Sequence, residues 1–338
     1  MERYKTILAD PPWPEHGGGK SKRGADRHYP LMSVGTPAAG REVTQLLRAP
    51  FPWFGGKSRA ASIIWARFGD VANYIEPFAG SLAVLLARPT PPRIETVNDL
   101  DCNVANFWRA TQADPEAVAK FADWPVNEAD LHARHRWLVA QLPTHRERMM
   151  TDPDYFDAKI AGWWVWGLSC WIGDGWADGK LERKRPVIGN GGRGVHRTGI
   201  GSLQACFDEL AQRLRKVRVL VGDWCRVVGD SSVLGIGFPV GIMLDPPYAQ
   251  HERDPELYGV ETDVSAAVRE WALEHGDDPR LRIALCGYEG EHEMPESWEC
   301  VAWKSTGTRE EQATRERIWF SPHCLKPDKG QIAMFGAP

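Results

Sequence analysis

Asp245-Pro246-Pro247-Tyr248 is the stretch of this 338-residue chain whose residue types and order could do the most chemistry. An exocyclic amine on a nucleobase is a poor nucleophile, because its lone pair is delocalised into the ring. An aspartate and a backbone carbonyl can accept both of its hydrogens, which favours a pyramidal nitrogen with an available lone pair. Proline has no N–H and a fixed φ, so it holds such a carbonyl in place. Tyr248 could stack on a base drawn out of a duplex. A set of this kind works by orientation and preorganised electrostatics, without a strong base or a covalent intermediate. The tetrapeptide is also simply a stiff turn, and its context has to decide between the two.

That context includes a second constellation. Glu76-Pro77-Phe78-Ala79-Gly80 follows a short apolar stretch, and Asp99 follows the next one. A glycine turn at the carboxyl end of a strand lets a cofactor approach the backbone, and an acid after the following strand can bind a ribose diol. A nicotinamide site would use the same parts, but the diphosphate fingerprint Gly-x-Gly-x-x-Gly is missing. The cofactor need not carry a diphosphate, and S-adenosylmethionine does not. Ahead of the first strand, Lys57 in Gly55-Gly56-Lys57 could meet the cofactor's carboxylate and Trp53 its adenine.

The elements that must position these residues alternate in the α/β manner. Apolar runs at Val71–Ile75, Arg93–Val97, Val217–Val221, Gly241–Leu244, Arg282–Cys286 and Arg317–Phe320 predict strands. Helices are predicted over Ser58–Phe68, Leu82–Ala87, Asn103–Ala110, Leu203–Arg215 and Asp263–His275. From about Asp114 the alternation stops. Charged helical segments fill 115–150, aromatic residues crowd 161–176, and a Gly/Arg stretch covers 189–201.

Trp53-Phe54-Gly55-Gly56-Lys57, Glu76-Pro77-Phe78-Ala79-Gly80, Asn98-Asp99 and Asp245-Pro246-Pro247-Tyr248, in that order, resemble the Dam-type adenine-specific DNA methyltransferases over about residues 50–325. The resemblance implies an S-adenosylmethionine-dependent methyltransferase fold, a Rossmann-like mixed α/β sheet, with a mainly helical target-recognition insertion. It implies cofactor contacts from Trp53, Gly56, Lys57, Glu76, Pro77, Phe78, Gly80, Asp99, Asp223 and Asp245, and a flipped adenine held by Asp245 to Tyr248. On this reading 48–111 and 201–325 form the catalytic domain, 112–200 the insertion, 1–47 an extension and 326–338 a tail. Two departures stand out. Leu82 occupies the place of a glycine in the first motif, where its side chain would crowd or cover the cofactor while favouring the helix. The recognition segment carries Trp163-Trp164-Val165-Trp166 and Trp171 in place of Asn and Gly, so no target sequence can be carried over.

A shorter resemblance lies at the amino terminus. Ile7-Leu8-Ala9-Asp10-Pro11-Pro12-Trp13 with His28-Tyr29-Pro30-Leu31-Met32-Ser33 is similar to the catalytic-motif region of the RNA-adenosine methyltransferases and their bacterial and phage relatives. No cofactor-binding half precedes Pro50, so Asp10 is read as a decoy in a remnant or accessory edge, and Asp245 as the acting residue.

Charge and composition fit this picture. Net charge is −4, which gives no global basic field, but charge is segregated along the chain. Residues 181–220 hold nine Lys/Arg against three acids, whereas 251–300 hold fourteen acids against four bases. Arg183, Lys184, Arg185, Arg193 and Arg197 are therefore the candidate phosphate contacts to double-stranded DNA. The sixteen Trp exceed ordinary core needs; half or more of the cluster is expected to be core packing, and the rest could wedge or stack against an opened duplex. Seven scattered Cys without a CxxC pair argue for a reducing compartment and against a zinc site or a disulfide framework. No signal peptide or membrane span is evident, which predicts a soluble protein in the cytoplasm of a bacterial or phage-infected cell, a monomer or dimer.

The sequence thus predicts a site-specific N6-adenine methyltransferase serving restriction–modification, phage protection or regulation. Cytosine N4 is the neighbouring alternative, since it too is an exocyclic amine. A degenerate nucleic-acid-binding relic is the non-enzymatic one.

Overall fold

The computed structural model describes residues 47–327 except 54, 174, 180–183, 230–233, 249–254 and 306–313, with the backbone alone for 255–263. The amino-terminal resemblance, Phe54 and Arg183 lie outside the described residues.

Seven strands form one sheet: β1 (Asn73–Glu76), β2 (Ile94–Asp99), β3 (Arg218–Val221), β4 (Val240–Leu244), β5 (Leu281–Tyr288), β6 (Glu299–Ala302) and β7 (Glu316–Phe320). Their order is β3-β2-β1-β4-β5-β7-β6. The first five are parallel, and β7 runs antiparallel to both β5 and β6. The strand order reverses between β1 and β4, which makes the crevice at their carboxyl ends the favoured ligand position in a doubly wound sheet. This is the Rossmann-like methyltransferase fold that the sequence predicts.

Both faces of the sheet are covered. In β4, Val240, Ile242 and Leu244 enter one core cluster while Met243 enters the other. β5 alternates likewise, with Leu281, Ile283 and Leu285 opposite Ala284 and Cys286. Such two-sided burial is what turns central strands into continuous apolar runs. The first face is packed by α8 (Cys225–Val228) and α9 (Pro255–His275). The second is packed by α1 (Ala61–Phe68), α2 (Ala83–Leu86), α3 (Cys102–Ala113) and α7 (Leu203–Leu214). The α9 helix begins well before the predicted Asp263.

Three further helices, α4 (Pro115–Ala122), α5 (Glu128–Thr151) and α6 (Ala158–Leu168), occupy the stretch read as an insertion. Each starts where an Asp or Asn side chain accepts a main-chain N–H: Asp114 for α4, Asn127 for α5 and Asp157 for α6. The core of the second sheet face continues into α4 and α6 without a break. Phe51, Phe107, Trp108 and Trp164 join there, with ring centroids 4.8–5.8 Å apart. Trp164, Trp166, Trp171 and Trp176 are all buried. Gly167 leaves room for the Trp176 ring, which any Cβ there would strike. These four tryptophans are core, as expected for half or more of the cluster, and a buried indole is not presented to a duplex. Trp137 and Trp163 are partly buried, and Trp124 is half exposed.

Candidate active site

The parallel strands deliver the predicted cofactor residues to one edge. Glu76 ends β1, Asp99 ends β2, Gly222-Asp223 follow β3, and Asp245 follows β4. Register locks them side by side: Glu76 pairs with Val97, Asp99 with Val221, and Ile75 with Ile242. Asn98 ties three exits together, its amide donating to Pro77 O at 3.0 Å and Gly222 O at 2.9 Å. Gly80 donates its N–H to Asp99 Oδ2 at 2.9 Å, and Asp101 N–H reaches Asp99 Oδ1 at 2.9 Å. Burial, with Asp101 nearby, pushes the Asp99 carboxyl up to about 7. Glu76 is buried, accepts from the Tyr74 hydroxyl at 3.1 Å, and is pushed up to about 8, mainly by burial.

A second network sits beside the first. Lys57, from the turn before α1, places Nζ 2.8 Å from Asp245 Oδ1 and 2.7 Å from Gly55 O. It is only 4% exposed, and although burial disfavours its charge, the acids around it, Asp245 foremost, raise its pKa overall. The Tyr248 hydroxyl lies 3.2 Å from Asp245 Oδ1 and 3.0 Å from Glu316 Oε2. Both side-chain contacts of Asp245 therefore fall on one oxygen, and its side chain keeps 25% exposure. The Lys57 ammonium stands 5.2 Å from the Tyr248 ring centroid and 5.5 Å from that of Trp303. Tyr248 meets Tyr288 edge-on at 4.7 Å. Lys57, expected at a cofactor carboxylate, is thus paired with Asp245 in this structure.

The edge suits S-adenosylmethionine. Each Asp99 oxygen holds one main-chain donor and a carboxylate has about four acceptor positions, so capacity is left for a ribose diol. Leu100, 71% exposed, adjoins it as an apolar shelf. Phe78 and Trp224 stack at 6.3 Å, next to Asp223. Asp223 itself is exposed, and hydrogen bonds from the Cys225 thiol and from the Cys225 N–H at 2.9 Å lower its pKa. Trp53 lies against Gly80. Leu82 corrects an expectation. It stands just before α2 in the left-handed region, φ 52°, and is fully buried in the core, so it neither extends the helix nor crowds the cofactor edge.

Among the candidate phosphate contacts, Arg185 is exposed, while Lys184 and Arg197 are partly buried. Lys184 lies 5.2 Å from the Trp171 ring centroid. Arg193 is engaged within the fold, donating to Ser169 O and Trp171 O at the end of α6. Among the described residues no helix is long and apolar enough to cross a membrane, and no group of three or more His, Cys, Asp and Glu could hold a metal ion.

Glu316 is the site residue that the sequence reading missed. It opens β7, and because β7 runs against its neighbours its first residue lies at the same edge as the last residues of the parallel strands, opposite Tyr288. A signal was present: Glu316 shares its alternating face with Ile318 and Phe320, both buried, so an acid stood at a core position.

Residues 53–153 match the family described as D12 class N6 adenine-specific DNA methyltransferase. The match runs from the Trp53–Lys57 turn through Asp99 and to just beyond α5. No curated protein matches the chain. The chain therefore carries, over residues 53–153, a D12-class domain of an S-adenosylmethionine-dependent, adenine-specific DNA N6-methyltransferase.

Proposed function

We propose that the chain is a site-specific enzyme that methylates N6 of an adenine flipped out of double-stranded DNA, with Asp245-Pro246-Pro247-Tyr248 as its catalytic motif. The observation that carries this reading is the one-sided tether of Asp245. Lys57 and Tyr248 both hold Oδ1, which orients the carboxylate and leaves Oδ2 for an amine hydrogen. The second amine hydrogen goes to a main-chain carbonyl of the rigid Pro246-Pro247 turn. Tyr248, braced by Tyr288, offers its ring to the flipped base.

S-adenosylmethionine supplies an electrophilic methyl group when bound. Asp99 holds the ribose, Glu76 and Asp245 present negative charge toward the sulfonium, and Trp53, Gly56, Pro77, Phe78, Gly80 and Asp223 shape the remaining cleft. With S-adenosylmethionine bound, its methyl would pass to the amine lone pair that Asp245 and the prolyl carbonyl expose, leaving the neutral thioether, and the surplus N6 proton would leave to water. The stretch 112–200 serves as the target-recognition region, with Lys184, Arg185 and Arg197 on the phosphates, and Arg183 in the same basic run.

The test combines purified protein, labelled S-adenosylmethionine and unmethylated DNA, with product nucleosides identified by mass spectrometry. N6-methyladenine is expected, lost in Asp245→Ala and kept in Asp10→Ala. N4-methylcytosine would reassign the base. No incorporation, with no cofactor binding, would make the chain a relic.

A further inference from the structure

We propose that Glu316 is a positioning residue for the methyl transfer: a buried neutral acid that donates to the Tyr248 hydroxyl, which passes its own hydrogen to Asp245. The inference rests on the methyltransferase reading above and adds a member to its site.

The argument begins with hydrogen counting. Tyr248 Oη is within reach of two carboxylates, Asp245 at 3.2 Å and Glu316 at 3.0 Å, yet a phenol has one hydrogen to give. Were both acids ionised, one of these two oxygen–oxygen contacts would hold no proton. A second proton completes the chain, and the surroundings decide which acid keeps it. Asp245 has the Lys57 ammonium at 2.8 Å and is partly open to water. Glu316 is 1% exposed, and besides the Tyr248 hydroxyl the Ser305 side chain hydrogen-bonds its carboxyl. The groups that face it are Lys57, Asp245 and Tyr248, with Cys286 and Tyr288 from β5 and Ser305 from the segment after β6. One cation thus serves two acids and is committed to the nearer. A second ionised carboxylate held out of water beside Asp245 is costly, whereas the neutral acid needs only its donor satisfied. Burial acts on Glu316 in the same direction, raising its pKa.

The resulting order is Glu316 to Tyr248 to Asp245. It points the phenol hydrogen at Asp245 Oδ1, so that Lys57 and Tyr248 saturate that oxygen and the other faces the amine. Glu316 does not touch the substrate; it fixes which hydrogen bonds Asp245 has left to make.

Two measurements test this. In the cofactor-free protein at neutral pH, the infrared difference between wild type and Glu316→Gln should contain the C=O stretch of a protonated carboxyl, and an ionised-carboxylate band alone would overturn the proposal. In the transfer assay, Glu316→Ala should lower kcat about tenfold, the worth of one well-placed hydrogen bond, with KM for S-adenosylmethionine unchanged. Glu316→Gln, which can still donate to Tyr248, should restore most of that loss. It should also remove any alkaline fall in kcat that follows ionisation of Glu316. In a Tyr248→Phe background, Glu316→Ala should cost nothing further. Equal losses in the Gln and Ala variants, or additive losses with Tyr248→Phe, would sink the role. A wild-type protein that transfers no methyl to DNA would instead overturn the activity reading, and the infrared result would stand apart from it.

Discussion

The Trp53 indole occupies the space that a side chain on Gly80 would fill, so a Cβ built at Gly80 runs into Trp53 Nε1. Gly80 also has φ +44°, gives its N–H to Asp99, and accepts from Trp108 Nε1 at 2.9 Å. One glycine therefore sets the positions of the Trp53 ring and of Asp99, the acid proposed to hold the ribose, together. Gly80→Ala should cost about 1–2 kcal/mol from the left-handed backbone alone. It should also weaken S-adenosylmethionine binding by displacing Trp53 and Asp99. Thermal unfolding and calorimetric titration read the two effects, and an Ala variant with unchanged affinity would refute the coupling.

Acidity at the cofactor edge gives a pH dependence of known sign. Asp99 and Glu76 are held up to about 7 and about 8, above their unfolded values of 3.8 and 4.5, chiefly by burial. Between those limits these two groups bind more protons in the folded cofactor-free protein than in the unfolded chain, so their contribution to stability falls as pH rises from about 4 to about 8. Relative to wild type, Glu76→Gln should gain melting temperature as pH rises through the upper part of that window. Cofactor binding near pH 7 should release protons, because a sulfonium and a ribose diol both favour the carboxylate forms. Calorimetry in buffers of different ionisation enthalpy measures that release.

Arg193 and Arg185 should separate cleanly. Arg193 donates to carbonyls that end α6, a favourable place for a cation at a helix carboxyl terminus. Arg193→Ala should lower the melting temperature and leave the salt dependence of DNA binding unchanged. Arg185 is exposed in the basic run. Arg185→Ala should leave stability alone and reduce the slope of log K against log salt by about 1. The reverse pattern would exchange their assignments.

Leu82 holds a backbone conformation that suits glycine while filling the core. Leu82→Gly would relieve about 1–2 kcal/mol of left-handed strain but open a cavity worth about 2–5 kcal/mol. A net loss of about 2 kcal/mol in denaturant unfolding is expected, with cofactor affinity unchanged within about threefold. A large gain in affinity would mean that Leu82 does meet the cofactor.

The central strands were legible because burial on both sheet faces makes them continuous apolar runs, and their acids fell at the carboxyl ends where a doubly wound sheet binds ligands. Edge structure was not legible. The β6 strand, Glu299–Ala302, escaped prediction because it is largely exposed and carries no alternation. The pairing of Lys57 with Asp245 was not legible, since nothing in the turn before α1 reveals that Lys57 reaches across 188 positions of sequence. Glu316 was hidden for the same reason, its partner Tyr248 lying 68 positions away. The tryptophans were legible only as a group: half or more of the cluster was expected to be core, and α6 and its neighbours bury Trp164, Trp166, Trp171 and Trp176, but the sequence does not say which ones.

The late, reversed β7 strand has a consequence for when the protein becomes active during synthesis. Lys57 and Asp245 can pair once β1 to β4 have folded, but Glu316 reaches the edge only after β7 has been made, 71 positions after Asp245. Nascent chains ending before residue 316 should transfer methyl at least tenfold more slowly than chains that include β7.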